Sequence, residues 1–139
     1  MEQTLSYYST AFYRDFSTYT AEKLQELGLN YGALFFVIYV GKHPGCTPSE
    51  LTKALGLDWG HSQRSIEKLV RGGFLTKERS DGNRRTYQLA LTELGGRAFQ
   101  VSHQVFSDWD REKLGVLNGD ERTQLLRLLK KVAGQARES

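Results

Sequence analysis

The sequence predicts a mainly α-helical fold with one small β-hairpin. Apolar residues recur at helical spacing over most of the chain, one stretch between residues 74 and 91 switches to period 2, and capping signals separate the helical stretches. The 139 residues suit one domain of ordinary size, alone or with a helical extension. A content of 39% hydrophobic and 25% charged residues is too apolar for disorder. The longest apolar run, residues 33–40, falls far short of the ~20 residues a membrane span needs.

The first helix is expected over about 4–27. Leu5, Tyr8, Phe12, Phe16 and Tyr19 form one stripe, Tyr7 and Tyr13 widen it, and Gly28 supplies a stop. Six aromatics within 13 residues suit core or subunit-interface packing, with a share in a ligand pocket as the alternative. The run Ala33-Leu34-Phe35-Phe36-Val37-Ile38-Tyr39-Val40 fits either a buried strand or a buried helix. Asn30 as a cap, with Gly41, Pro44 and Gly45 as punctuation, favours a short helix over 30–42.

Thr47-Pro48-Ser49-Glu50 reads as a capping box with Pro at the first helical position, and Leu51, Ala54 and Leu55 face inward behind it. Gly56-Leu57-Asp58 breaks this helix, and Asp58 can cap the next, over 59–70. Its expected inward stripe is Trp59, Ser62, Ile66, Leu69 and Val70. Its outward face is Gly60, His61, Gln63, Arg64, Glu67, Lys68 and Arg71. Two short helices joined by a tight Gly-containing turn make a helix-turn-helix pattern, ended by Gly72-Gly73.

Strands are expected over 74–79 and 84–91, joined by a Ser80-Asp81-Gly82-Asn83 turn, with Tyr87, Leu89 and Leu91 on one face. A hairpin directly after a helix-turn-helix, carrying Arg79, Arg84 and Arg85 near its tip, makes a winged helix. Thr92 caps a further helix with the stripe Leu94, Ala98, Val101, Val105 and Trp109. Asn118 and Glu121 open a last one with Leu125, Leu128, Leu129, Val132 and Ala136. The terminal helices exceed a minimal winged helix, and a second copy of the chain is the economical partner for their apolar surface. The expected organisation is therefore an N-terminal dimerisation helix over 1–28, a winged helix-turn-helix over 29–92, and C-terminal dimerisation helices over 93–139.

Charge supports a nucleic-acid partner. Residues 59–86 hold seven bases and three acids, whereas the rest of the chain holds 12 bases and 13 acids. Catalytic and metal signatures are missing: there is no phosphate-cradling Gly motif, no His-Glu-x-x-His and no paired-Cys spacing. His43, His61, His103 and Cys46 are too scattered for a zinc site, so neither metal nor cofactor is expected. The single Cys46 excludes an internal disulfide and fits a reducing compartment, and Met1-Glu2-Gln3-Thr4 has no signal-like pattern, so a cytoplasmic location is expected. Cys46 is expected to be plainly buried; the alternative is a redox role, since it precedes the Thr47 cap, where a helix N-terminus lowers a thiol pKa.

Across residues 29–100 the sequence resembles the multiple antibiotic resistance regulator (MarR) family. The resemblance is carried by Thr47-Pro48-Ser49-Glu50-Leu51, Leu69-Val70-Arg71-Gly72-Gly73-Phe74-Leu75, Ser80-Asp81-Gly82-Asn83-Arg84-Arg85 and Leu89-Ala90-Leu91-Thr92-Glu93-Leu94-Gly95 in this order and spacing. It implies a winged helix-turn-helix whose terminal helices build a homodimer, often a repressor released by a small ligand. Two positions depart from the pattern. Asn83 stands where the wing usually has an Asp that braces the Arg at position 85, and Ser62 stands where the recognition helix usually has an apolar residue.

The implied function is a sequence-specific DNA-binding transcription regulator, a dimeric repressor on a palindromic operator, using the 59–70 helix and the 79–86 wing on double-stranded DNA. Gln63 is suited to adenine and Arg64 to guanine, both near a recognition-helix start, while Gly60 shares their DNA-facing side and His61 can reach a base or phosphate. Arg84 or Arg85 could enter the minor groove; Lys68, Arg71, Lys77 and Arg79 suit phosphates or simple surface charge. By the same resemblance, a small aromatic effector would lie near Tyr8, Phe12, Phe16, Phe36 and Tyr39. The alternative is a winged-helix protein-interaction module that sets its basic wing on an acidic partner.

Overall fold

The computed structural model describes residues 3–80 and 83–134, apart from the side chains of residues 80 and 83–85. In chain order it runs α1 (Leu5–Gln25), α2 (Ala33–Lys42), α3 (Pro48–Leu55), α4 (Trp59–Arg71), β1 (Leu75–Ser80), β2 (Asn83–Leu91), α5 (Glu93–Leu114) and α6 (Gly119–Ala133). The apolar run that fitted strand or helix is α2, at the centre of the fold. Its Leu34, Phe36, Val37 and Val40 are buried and share one core with Leu24, Leu51, Ile66, Leu69, Leu75, Leu89 and Ala98. Neighbours on several sides suit a helix, which presents apolar residues all round, better than a strand with two faces.

α2 starts three residues later than expected. Asn30 does not occupy the cap position; its Oδ1 accepts from the backbone N–H of Ala33 at 3.0 Å, and the chain turns through Tyr31 and Gly32 first. The expected α1 stripe is also only partly buried. Thr20 and Leu24, near the C-terminal end, are its enclosed residues, while Leu5, Tyr8 and Phe12 are exposed.

In α5 the buried face is Gly95, Ala98, Ser102 and Val105, one position round from the expected Leu94–Val101 line. Small residues face inward because the neighbouring helix lies close. At Gly41 of α2 a Cβ would run into the Phe99 ring, so Leu94 and Val101 pack at the flanks instead.

β1 and β2 pair antiparallel from Leu75↔Leu91 to Arg79↔Tyr87, with a register shift between Arg79 and Ser80. The expected turn at 80–83 includes Asp81 and Gly82, which lie outside the described residues. A third, one-residue rung joins the sheet: Cys46 bridges Leu89, with Leu89 N–H donating to the Cys46 carbonyl at 2.8 Å.

α6 begins on a complete capping box. The Glu121 N–H donates to Asn118 Oδ1 at 2.8 Å and the Asn118 N–H to Glu121 Oε1 at 3.0 Å. Yet α6 buries none of its residues, and Leu125, Leu128, Leu129 and Val132 all face outward into solvent. Ala136 lies outside the described residues. Among the described residues, no helix is long and apolar enough to cross a membrane.

Candidate nucleic-acid interface

Local chemistry sets the two helices of the helix-turn-helix. The Thr47 hydroxyl accepts from the Glu50 N–H at 3.1 Å with Pro48 in the first turn. α3 ends at Gly56, whose φ of +65° is a left-handed turn that a side chain would strain. Asp58 then caps α4, accepting from the His61 N–H at 2.9 Å.

The departure at Ser62 is absorbed by a hydroxyl pair. Ser62 is fully buried, and its Oγ lies 2.6 Å from Thr52 Oγ1, which in turn donates to the Pro48 carbonyl at 2.6 Å. A buried hydroxyl with its partners satisfied joins α3 to α4 where an apolar contact was expected, and leaves no orphaned polar group at that point.

With Ser62, Ile66 and Leu69 inward, the opposite face of α4 presents His61, Arg64, Lys68 and Arg71, all exposed. Arg64, Lys68 and Arg71 make no ion pair among the described residues. They border an open groove of about 880 Å³ between the 28–33 segment and α4, with no acidic residue among those lining it. Gly60 contributes by lacking a side chain: a Cβ there would come within 3.2 Å of Arg64 Nη1, so the guanidinium folds back over the bare first turn.

Three sequence-derived roles change. Trp59 was expected inward, but it is 55% exposed, because the first residue of α4 projects past the end of the core. Gln63 was expected to offer its amide outward, but it is half-buried and its Nε2 is enclosed without a hydrogen-bond partner. Lys77 was grouped with surface cations; instead it pairs with Glu67 at 2.8 Å and sits 4.6 Å from the Tyr87 ring centre. The Glu67–Lys77 pair ties the hairpin to α4, and the adjacent ammonium holds the Glu67 carboxyl below the usual range. Arg79 is exposed and lies over the same ring at 5.2 Å. The side chains of Arg84 and Arg85, and the Asn83 departure, lie outside the described residues.

The five aromatics proposed around an effector are not drawn together. Phe36 is 2% exposed in the core, because the buried face of α2 takes it inward. Tyr39 stacks on His43 with ring centres 4.4 Å apart, and Tyr8 pairs edge-on with Tyr7. Phe12 and Phe16 instead meet Trp109 of α5, and Phe16 also meets Phe106 and Tyr31. Asp15 fastens this junction, accepting from Trp109 Nε1 at 2.8 Å and from Lys113 Nζ at 2.9 Å.

Cys46 is buried, and burial together with the Glu50 charge pushes its thiol up to about 11. Desolvation outweighs the helix N-terminus, in keeping with the plain burial preferred from the sequence. Among the described residues, no group of three His, Cys, Asp or Glu side chains could hold a metal ion.

Comparison with known proteins gives the same architecture a family. A MarR family model matches residues 27–86. An HTH-type transcriptional regulator, BilQ, from Clostridium symbiosum is 41% identical over 139 residues, covering 100% of this chain and 96% of that protein. The crystal structure of wild-type MarR from E. coli, apo form, is 28% identical, covers 93% of this chain and 96% of that one, and superposes with a TM-score of 0.74. Streptococcus pneumoniae FabT, solved in complex with DNA, shares the fold at 20% identity and a TM-score of 0.82, covering 96% of each chain. The helix-turn-helix, hairpin and flanking helices described above are thus those of a family of transcriptional regulators rather than of enzymes, and this chain belongs to the MarR family.

Proposed function

We propose that the protein is a cytoplasmic, homodimeric, sequence-specific DNA-binding transcription regulator, a repressor on a palindromic operator. The observation that carries the reading is the two-sided α4. Ser62, Ile66 and Leu69 anchor one face, leaving His61, Arg64, Lys68 and Arg71 on the other, where Arg64, Lys68 and Arg71 form no ion pair among the described residues. A helix so held suits the major groove, with Arg64 on guanine and Lys68 and Arg71 on phosphates, while the wing with Arg79, Arg84 and Arg85 follows the adjacent minor groove. Residues 29–92 form the DNA-binding unit, and 1–28 with 93–139 form the dimerisation unit. The uncovered apolar faces of α1 and α6 support that division. Release by a small aromatic ligand is the regulatory part of the proposal, and the exposed Phe12 beside Trp109, which Phe16 also meets, supports it.

Selection of bound DNA from a random pool tests the reading. The expected product is a palindrome with half-sites about 34–36 Å apart. On that site Arg64→Ala costs about 1–3 kcal/mol and relaxes one base position per half-site. An equal loss on every sequence would move Arg64 to the phosphates, and a pool without an enriched palindrome would overturn the operator.

A further inference from the structure

We infer that Trp59 reads a thymine methyl group in the major groove, next to the base taken by Arg64; the inference rests on the DNA-reading role proposed for α4. Trp59 is the first residue of α4 and is 55% exposed. Its indole makes no ring contact or hydrogen bond among the described residues. Exposing a side chain of this size forgoes a large apolar gain, and nothing in the fold of α4 requires it there. The inward stripe of the helix is complete without it in Ser62, Ile66 and Leu69.

Its neighbours give the indole a setting. Gly60 leaves the first turn bare, and the Arg64 guanidinium lies back over that turn, its Nη1 within 3.2 Å of where a Gly60 Cβ would stand. Trp59 and Arg64 therefore lie either side of the bare Gly60 backbone at the end of the helix that enters the groove. Gln63, on the same part of the helix, has its amide nitrogen enclosed, which removes a polar reader from that flank and leaves an apolar one. The one apolar feature of base edges in the major groove is the thymine C5 methyl, and the flat face of an exposed indole is suited to cover it. The reading head of α4 then combines a polar contact through Arg64 with an apolar one through Trp59.

Replacing each operator thymine in turn by deoxyuridine removes only the methyl group. With the wild-type protein, one thymine in each half-site is expected to show a roughly three- to fivefold loss of affinity, the scale of one buried methyl. Trp59→Ala should bind thymine and uracil operators equally at that position, while keeping the base preference set by Arg64. The deoxyuridine scan needs no variant, so it decides the point even if Trp59→Ala folds poorly. An operator in which no thymine methyl matters overturns the inference and leaves the DNA-reading role standing. A methyl effect that persists undiminished in folded Trp59→Ala assigns the methyl to another side chain and overturns it equally. A random pool that enriches no sequence at all overturns the DNA-reading role and this inference together.

Discussion

The winged-helix core and α6 carry the same kind of pattern and end in opposite conditions. Ile66 on α4 is fully buried, whereas Leu129 on α6 is 40% exposed, although each belongs to an apolar stripe at helical spacing. The difference lies in what each stripe meets. α4 has α2, α3 and β1 against it, while α6 leaves the body of the chain after Gly115 and buries nothing. α6 is nevertheless a well-specified helix, closed at its start by a full capping box. Helical form is thus decided within a turn or two of sequence, and burial is decided by whatever comes to cover the helix. For α4 the cover is its own chain; for α6 the proposed cover is a second copy.

The strongest way to break this comparison is to truncate a side chain in the core. Ile66→Ala is expected to lower stability by about 2–5 kcal/mol, read by chemical denaturation, because the cavity is enclosed on all sides. A loss below 1 kcal/mol would show that the core around α4 is as loosely held as α6. The second test addresses α6. The wild-type protein should be a dimer at micromolar concentration, and Leu129→Asp should weaken it by about tenfold or more, roughly 1.4 kcal/mol, in light scattering. Helical circular dichroism of the variant should persist, since the winged-helix core does not depend on α6. A wild-type monomer of 15.8 kDa would break the comparison outright, leaving the α6 stripe without a partner.

The smallest effect sharpens the boundary between the two regions. Asp15 bonds Trp109 and Lys113 at the α1–α5 junction, and the bonds from Lys113 and Trp109 hold its carboxyl below the ordinary range. A depressed carboxyl contributes stability at neutral pH and loses it as pH falls through its folded value, which lies below that of a free aspartate. Trp109 fluorescence should therefore shift on acidification below that value, and Asp15→Asn should remove the transition. The group is exposed, so the global unfolding midpoint should hardly move.

Much of the fold was legible because its signals are local. Thr47, Asp58, Thr92 and Asn118 each accept a backbone N–H three residues on, as their positions before apolar periods implied. Gly56 takes the left-handed turn between α3 and α4, and Leu89 sits buried on the predicted face of the hairpin. The cationic α4 face, with His61, Arg64 and Lys68, followed from the same periodicity. The effector aromatics were less legible. Phe12, Phe16 and Phe36 share a residue type, but which helix faces which decides that Phe36 enters the core while Phe12 and Phe16 meet Trp109.

By itself, then, the sequence determined the order of the helices and the hairpin and the caps that open α3, α4, α5 and α6, because caps, turns and apolar periods act over about four residues. Only the tertiary structure decided what each flank residue does. Trp59 is exposed because α4 outruns its support, and Ser62 is tolerated because Thr52 lies 2.6 Å away on another helix. Ser102 and not Val101 is on the buried face of α5. Cys46 holds its proton because an enclosed sulfur next to Glu50 cannot easily carry charge, whatever helix begins after it. For Ser62 the deciding neighbour, Thr52, stands ten residues away on another helix, and solvent exclusion is a property of that assembly.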